Sequence, residues 1–213
     1  MSAPWLVLPV KSIADGKSRL ADHLAPATRR AVNVELLARS LTLAARYPGL
    51  PRTVVVSHCA DVLHLARARG AHCIEERGDG GLNAALDQAL AALPGPADEH
   101  VLVLSCDVPF AREDDLRHMV VRARTSPCVV VATDRAGSGT NALCLPQGTS
   151  FQFRYGPASC LNHAAQASVL GLECVVLRHT SLAFDVDTVQ DHREWRQRED
   201  LIQGHLVRSN CLS

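Results

Sequence analysis

Short runs of branched apolar residues alternate along this chain with longer segments whose apolar positions recur every three or four residues. Runs of the first kind predict buried strands, and segments of the second kind predict amphipathic helices. The predicted strands are 4–10, 52–57, 71–76, 100–105, 127–133, 141–146 and 173–178. The predicted helices are 26–47, 61–70, 82–93, 112–124, 156–171 and 188–203. Apolar strands separated by helices are typical of a parallel sheet that is covered on both faces. The predicted fold is therefore α/β, a single three-layer doubly wound domain with a mostly parallel sheet.

Composition and charge narrow the class of protein. The 213 residues are 47% apolar and 21% charged, which is enough to build one sizeable core. We expect one domain over 1–205, followed by a frayed tail at 206–213. Lys and Arg balance Asp and Glu at 22 each, which disfavours a nucleic-acid partner. No apolar run approaches the roughly 18 residues that span a bilayer, and no basic signal segment opens the sequence. The expectation is a cytoplasmic protein without a membrane partner.

Eight cysteines are scattered without any C-x-x-C spacing, which disfavours a zinc site. Several of them lie inside apolar runs such as "SPCVVVA" and "LECVVL". Small buried thiols in a reducing compartment explain this placement. A disulfide or redox role is the alternative, and the role of the cysteines stays open at this point.

A doubly wound sheet binds its ligand at the carboxyl ends of its strands. The loop after the first predicted strand, "LPVKSIADGKSRL", carries Lys11, Lys17 and Arg19 among small residues. Three cations at such a place favour a polyphosphate, because Lys supplies a point charge and Arg a planar fork. The spacing matches neither the Walker loop nor the G-x-G-x-x-G turn. A solvated basic turn is the alternative interpretation.

A second glycine-rich loop, "RGDGGLNAAL", leads directly into a predicted helix. Gly81 would let the backbone approach a flat ligand closely, and the amide of Asn83 could bond a base edge. A flexible connector is the alternative.

Acidic residues follow two further predicted strands. Asp107 ends the fourth strand in "VLSCDVPFAREDDL", and Pro109 fixes the backbone just after it. Asp185 and Asp187 in "LAFDVDTVQDH" are two positions apart, so an extended backbone turns both to one side. Mg²⁺ prefers carboxylate oxygens together with substrate phosphates and water. The sequence therefore predicts a magnesium site at these carboxylates.

Helix capping is the competing explanation for the same carboxylates. Asp107 lies too far upstream of the helix that begins near Arg112, where Phe110 or Ala111 would occupy the cap. In the last helix either Asp187 or Thr188 could be the capping residue.

Two small, polar segments suit a second anionic ligand. "ATDRAGSGTNAL" offers the hydroxyl of Thr140, and "FQFRYGPASCLNHAA" places Gly156 and Ser159 where a helix begins, a position that favours anions. An ordinary turn and an ordinary first helical turn are the alternatives. His163 either faces this site or lies half-buried or exposed on its helix.

Six of these segments, taken in order, resemble the motifs of 2-phospho-L-lactate guanylyltransferases. They are "LPVKSIADGKSRL", "GGLNAAL", "SCDVPF", "GTNAL", "FRYGPAS" and "FDVDT". The resemblance covers about residues 4–200, and its specificity comes from the ordered combination rather than from any one motif. The wider group of nucleoside-triphosphate transferases also includes molybdenum-cofactor guanylyltransferase.

The resemblance implies a nucleotide-diphospho-sugar transferase-like fold of the GT-A or Rossmann-like kind. It also implies an enzyme that joins GMP from GTP to a small phosphorylated carboxylic acid and releases pyrophosphate. The acceptors in the family are 2-phospho-L-lactate, phosphoenolpyruvate and 3-phospho-D-glycerate, and the product enters deazaflavin coenzyme F-420 biosynthesis. Mg²⁺ is the implied cofactor and GTP the co-substrate. A homodimer and transfer of the product to the next enzyme of the pathway are further expectations.

The resemblance also assigns roles to positions of this sequence. A basic loop would hold the triphosphate and act in catalysis, a second loop would contact the guanine side of GTP, carboxylates would bind the metal, and a further group would hold the acid. The basic loop would be Lys11, Lys17 and Arg19, and the guanine-side loop would be Gly81 and Asn83. The metal carboxylates would be Asp107, which is also catalytic, and Asp187, with Asp185 as their neighbour. The group that holds the acid would be Thr140, Gly156 and Ser159. Cys106, Phe110 and the absence of a proline after Thr188 depart from the usual motifs, which leaves acceptor choice open.

Two other functions compete with this one. A molybdopterin guanylyl- or cytidylyltransferase would carry a glycine pair in its first loop, and "PVKSIADGKSRL" has none. A non-catalytic nucleotide-binding module is disfavoured because the three cations and both carboxylates are all present.

Overall fold

The computed structural model describes residues 3–14, 17–78, 80–95, 99–178 and 181–210, without the side chains of 18 and 203–210. The strands are β1 (Trp5–Pro9), β2 (Thr53–Ser57), β3 (His72–Glu75), β4 (His100–Leu104), β5 (Cys128–Ala132), β6 (Ala142–Pro146) and β7 (Glu173–Leu177). The α-helices are α1 (Pro26–Arg46), α2 (Ala60–Ala68), α3 (Gly81–Ala92), α4 (Glu113–Thr125), α5 (Ser159–Val169) and α6 (Val189–Asn210). Short 3-10 turns lie at Ser18–Leu20 and Leu50–Arg52. Each predicted strand and helix is present, with shifts of one to three residues at most boundaries.

The strands form a seven-stranded sheet in the order β3-β2-β1-β4-β6-β5-β7. β6 runs antiparallel to both of its neighbours, and the other pairs are parallel. Ala142 at the start of β6 pairs with Leu104 at the end of β4 and with Ala132 at the end of β5. The beginning of β6 therefore lies at the same sheet edge as the carboxyl ends of the parallel strands. Since only β6 runs antiparallel, the prediction of a mostly parallel sheet is confirmed.

Helices cover both faces of the sheet, as the continuously apolar strands require. α1, α2 and α4 bury residues such as Leu41, Val62 and Met119 on one face. α3 and α5 bury Leu86 and Ala167 on the other face. The three-layer arrangement is thus confirmed, and it leaves the strand ends as the accessible part of the sheet.

The last helix packs against the first through a separate small core. Trp195 of α6 is fully buried with Val32 and Leu36 of α1 and with Phe184 and Val186, which precede α6. This core fixes the segment that carries the predicted carboxylates Asp185 and Asp187.

Three predicted helix ends differ from the observed ones. α4 takes its N-cap at Arg112, whose backbone N–H donates to Asp115 Oδ2 at 2.8 Å, and not at Phe110 or Ala111. α5 starts at Ser159 because Gly156 and Ala158 have positive φ angles that a helix excludes. α6 continues past 203 to Asn210, since one glycine at 204 costs a helix only about 1 kcal/mol. The helix thus enters the segment predicted to be a frayed tail, and 211–213 lie outside the described residues.

We expect Trp195→Ala to lower the free energy of unfolding by about 3–5 kcal/mol, because it empties the centre of this small core. Trp195→Phe is the matched control, since it keeps an aromatic ring and removes an indole N–H that has no partner among the described side chains. Its expected cost is below about 1.5 kcal/mol. Urea unfolding at neutral pH measures both, and equal losses in the two variants would contradict this account of the packing.

Candidate active site

Asn141 joins three segments at the carboxyl edge of the sheet. It is 6% exposed, its backbone N–H donates to Ala132 O, and its backbone oxygen accepts from Ser105 N–H, each at 2.9 Å. Its side-chain amide donates to Leu182 O at 2.9 Å and, more weakly, to Asp185 Oδ1 at 3.5 Å. Asn141 was not among the predicted site residues, because its burial and its contacts are visible only in the structure.

The two carboxylate segments are also joined directly by their backbones. Val186 N–H donates to Asp107 O at 3.0 Å. This bond brings Asp107 next to Val186, the residue before Asp187, so the two carboxylates lie at the same part of the sheet edge.

Capping of the last helix falls to Thr188 and not to Asp187. Thr188 Oγ1 accepts from the backbone N–H of Asp191, and Asp191 Oδ2 accepts from the N–H of Thr188 at 2.8 Å. This reciprocal arrangement is a capping box, in which the side chain of Asp187 takes no part. The carboxylate of Asp187 remains available to the site.

Lys17 lies between these two carboxylates. Its ammonium donates to Asp107 Oδ2 at 2.7 Å and to Asp187 Oδ1 at 3.0 Å, and its side chain is only 10% exposed. Burial alone would lower the pKa of Lys17, but the two carboxylates raise it above its ordinary value. The backbone at Lys17 has φ +61°, a conformation that costs a non-glycine residue about 1–2 kcal/mol. The carboxylates hold the residue there.

The other two residues of the basic loop are exposed. Arg19 NH1 lies 3.8 Å from Asp187 Oδ2, with three quarters of its side chain in solvent. Lys11 is exposed just after β1. Both are therefore free to approach an anionic ligand without first leaving a buried contact.

The third carboxylate, Asp185, lies close to the other two. Burial, and then the charges of Asp107 and Asp187, raise its pKa to about 6. Among the described residues no three acidic, histidine or cysteine side chains form a complete metal cage. Mg²⁺ needs only one or two carboxylates when substrate phosphates and waters complete its shell. Asp107 and Asp187 already hold one cation, the ammonium of Lys17, so their donor set fits such an ion.

The glycine-rich loop before α3 is tied to a distant segment. Asn83 Nδ2 donates to Tyr155 O at 3.1 Å, and Asn83 Oδ1 accepts from Tyr155 N–H at 2.8 Å. Each end of this amide makes one bond to Tyr155, so the second hydrogen of Nδ2 and the second lone pair of Oδ1 could still bond a base. Gly81 opens α3 with φ +67°, where glycine carries no steric penalty.

The predicted acid-binding residues Thr140 and Ser159 lie together beneath the surface. Ser159 Oγ donates to Thr140 Oγ1 at 3.1 Å, and the two residues are 2% and 6% exposed, respectively. Cys160 N–H donates to Ser138 O at 3.0 Å, which joins the first turn of α5 to the loop before β6. Gly156 has φ +131°, a conformation that in practice only glycine adopts, and it lies in the exposed turn that leads to α5.

His163 is fully buried, so its predicted half-buried or surface position is wrong. Its ring packs on Phe151 and Tyr155, and its Nδ1 lies 3.1 Å from Thr140 Oγ1. Burial lowers its pKa to about 4, which makes the ring neutral at pH 7. In the sequence, only the i+4 spacing between Ser159 and His163 indicated this position, because it puts both side chains on one face of the helix.

No thiol group of a described cysteine makes any of the contacts above. The seven that lie among the described residues are free thiols. Cys106 precedes Asp107, and burial raises the pKa of its thiol, so it is a poor nucleophile.

A family model described as "Guanylyl transferase CofC like" matches residues 5–198. A phosphoenolpyruvate guanylyltransferase from Rubrobacter xylanophilus is 35% identical over 88% of this chain and 90% of its own length. A 3-phospho-D-glycerate guanylyltransferase from Phenylobacterium zucineum is also 35% identical, over 87% of this chain and 86% of its own. A 2-phospho-L-lactate guanylyltransferase from Methanothermobacter thermautotrophicus is 29% identical, over 87% and 80%.

Solved structures share the fold at low sequence identity. A CMP:2-keto-3-deoxy-manno-octonic acid synthetase complexed with CTP superimposes with a TM-score of 0.66 at 13% identity, over 94% of this chain and 99% of that one. A nucleotidyl transferase from Methanothermobacter thermautotrophicus gives 0.64 at 14% identity, over 91% and 97%. These matches confirm the predicted fold class. Among the described residues, no helix is long and apolar enough to cross a membrane.

The buried histidine predicts how stability depends on pH. The pKa of His163 is depressed to about 4 from 6.5, so the unfolded chain takes up a proton first as the pH falls. The contribution of the neutral His163 ring to the free energy of unfolding is therefore fully present above pH 6.5. It is lost as the pH falls through 4, and the loss amounts to up to about 3 kcal/mol.

We expect His163→Asn to remove this loss, so that the difference in unfolding free energy between wild type and variant narrows from pH 7 to pH 4. Urea unfolding across that range measures it, with His118→Asn on the exposed face of α4 as the surface control. Parallel wild-type and His163→Asn profiles would contradict a neutral buried ring.

Proposed function

This chain belongs to the family of CofC-like guanylyl transferases, and from that membership we propose that it joins GMP from GTP to a small phosphorylated carboxylic acid, releasing pyrophosphate. The observation that carries the proposal is the ammonium of Lys17 between Asp107 and Asp187 at the carboxyl edge of the sheet. A cation held by two carboxylates beside an exposed basic loop suits the handling of a triphosphate and a metal together.

The basic loop is proposed to hold the triphosphate. Lys11 and Arg19 are exposed and would meet the phosphates first, whereas Lys17 would approach them from its place between the carboxylates. Their positive charge offsets the negative charge that builds on pyrophosphate as it leaves. Gly81 and Asn83 are proposed to line the guanine side of the nucleotide.

Asp107 and Asp187 are the residues proposed to hold Mg²⁺, with Asp185 beside them. When bound, the ion would supply positive charge at the phosphate oxygens. Burial is the first cause of the raised pKa of Asp185, and the charges of Asp107 and Asp187 are the second; the second cause supports this assignment, because a nearby cation would offset it.

The acid is proposed to lie at the first turn of α5, near Thr140, Gly156 and Ser159. Its own phosphate oxygen is the nucleophile that attacks the α-phosphorus of GTP, so the protein need not supply one. The contribution of the chain is to position two anions that repel each other, and to neutralise them. Phosphoenolpyruvate, 3-phospho-D-glycerate and 2-phospho-L-lactate are the candidate acceptors, after the names of the relatives. Entry of the product into coenzyme F-420 biosynthesis, by transfer to a further enzyme, belongs to the same proposal.

An acceptor panel tests this function. We expect the protein, with GTP and Mg²⁺, to release pyrophosphate in the presence of at least one of the three acids and to form a guanylylated product of the corresponding mass. Hydrolysis of GTP would give no such adduct. GTP binding without transfer to any acid would favour a non-catalytic nucleotide-binding module. Transfer to molybdopterin alone would favour the molybdenum-cofactor enzyme.

The role of Asp107 has its own test. We expect Asp107→Asn to leave the fold intact and to lower turnover at least about a hundredfold, the scale of losing one preorganised electrostatic group. It should also raise the Mg²⁺ concentration that gives half-maximal rate. Asp114→Asn, an exposed residue in the first turn of α4, is the matched control and should leave both quantities unchanged. A near-wild-type rate for Asp107→Asn would overturn the metal assignment.

A further inference from the structure

Beneath the proposed acid site lies a buried cluster of three polar side chains. His163, Ser159 and Thr140 are 0%, 2% and 6% exposed, respectively. Thr140 Oγ1 lies 3.1 Å from both His163 Nδ1 and Ser159 Oγ. On its other edge, His163 Nε2 lies 3.0 Å from the backbone nitrogen of Arg154. The nearest rings, Phe151 and Tyr155, bring no charge to the imidazole.

The contact with Arg154 fixes which nitrogen of His163 carries the proton. A backbone N–H can only donate, so Nε2 must accept from Arg154 and must be unprotonated. A neutral ring then carries its hydrogen on Nδ1. His163 Nδ1–H therefore donates to Thr140 Oγ1, and Thr140 cannot donate in return.

Counting the hydroxyl hydrogens in the cluster shows that one hydroxyl group is left as a donor. The two hydroxyl groups contain two hydrogens, and neither can be accepted by His163. One of the two is used between Thr140 and Ser159, in the direction from Ser159 to Thr140. The other, on Thr140, has no acceptor among the described side chains and points away from the ring. Reversing the bond within the pair moves this donor to Ser159 but does not remove it.

We propose that His163 is a positioning residue that turns one hydroxyl hydrogen of the Thr140–Ser159 pair outward, toward an anionic oxygen of the acceptor acid. The pair thereby always offers one donor hydrogen, on Thr140 or on Ser159, which suits a phosphate or carboxylate oxygen and disfavours a hydroxyl group offered as a donor. This inference rests on the proposed function, because the acid must lie at this place for the donor to matter. The cost of orienting the hydroxyl is met during folding and not during binding.

The anchor of the ring also connects the acid site to the nucleotide side. Arg154, which fixes the tautomer, is followed by Tyr155, whose backbone holds both ends of the Asn83 amide. The donor on Thr140 is thus aimed by a segment that is itself attached to α3. Thr140 in turn precedes Asn141, the clamp that contacts Asp185.

Two variants of His163 separate positioning from packing. The amide of an asparagine reaches as far as imidazole Nδ1, so His163→Asn can still donate to Thr140. The amide of a glutamine reaches as far as Nε2, so His163→Gln can accept from Arg154 but leaves Thr140 without its donor. We expect His163→Gln to raise KM for the acid about tenfold to a hundredfold, the range for a lost bond to a charged group. We expect His163→Asn to stay within about threefold of wild type, and KM for GTP to be unchanged in both.

The tautomer is measured independently in the wild-type protein. Long-range proton–nitrogen NMR of ¹⁵N-labelled protein at pH 7 should show the His163 ring neutral, with its hydrogen on Nδ1. A hydrogen on Nε2 overturns the positioning role even if His163→Gln fails to fold. Equal changes of the acid KM in the two variants, or none in either, also overturn it and leave the proposed function standing. A wild-type protein with the Nδ1–H tautomer that transfers GMP to no acid overturns the proposed function, and the positioning role with it.

Discussion

Two ionised carboxylates in a half-buried site repel each other unless a cation offsets their charge, and the rest of this site depends on that constraint. Lys17 meets it for Asp107 and Asp187, and the contact keeps the loop after β1 in a backbone conformation that costs energy. The proposed function would place a metal ion at the same two carboxylates, close to the phosphates.

Hydrogen bonds run through neighbouring residues from one end of this site to the other. Asp185 accepts from Asn141, whose chain neighbour Thr140 is bonded to His163. His163 accepts from Arg154, whose chain neighbour Tyr155 is bonded to Asn83. The antiparallel strand β6 makes this possible, because it returns the chain to the edge where its parallel neighbours end. The groups proposed to bind metal, acid and nucleotide are thus parts of one connected framework.

The sequence predicted the order of strands and helices and the sheet edge that matters, since these follow from apolar periodicity and from the rule for parallel sheets. It also placed Asp107 correctly as something other than a helix cap. It could not decide between Asp187 and Thr188, because both residues are good caps and only the contact with Asp191 separates them. Nor could it find the burial of His163, because that burial is set by the loop around Arg154, nine residues earlier, which carries no regular pattern.

The separations along the chain have a consequence for how the protein is made. Lys17 is 90 residues from Asp107 and 170 from Asp187, and Asp187 is held in place by the docking of α6 through Trp195. Contacts this distant in sequence are closed late, after the loops between them have been ordered. A nascent chain that has emerged from the ribosome only as far as β5 carries the basic loop and one carboxylate, but not the second. The carboxylate pair around Lys17 is therefore complete only after the C-terminal helix has been synthesised and has docked.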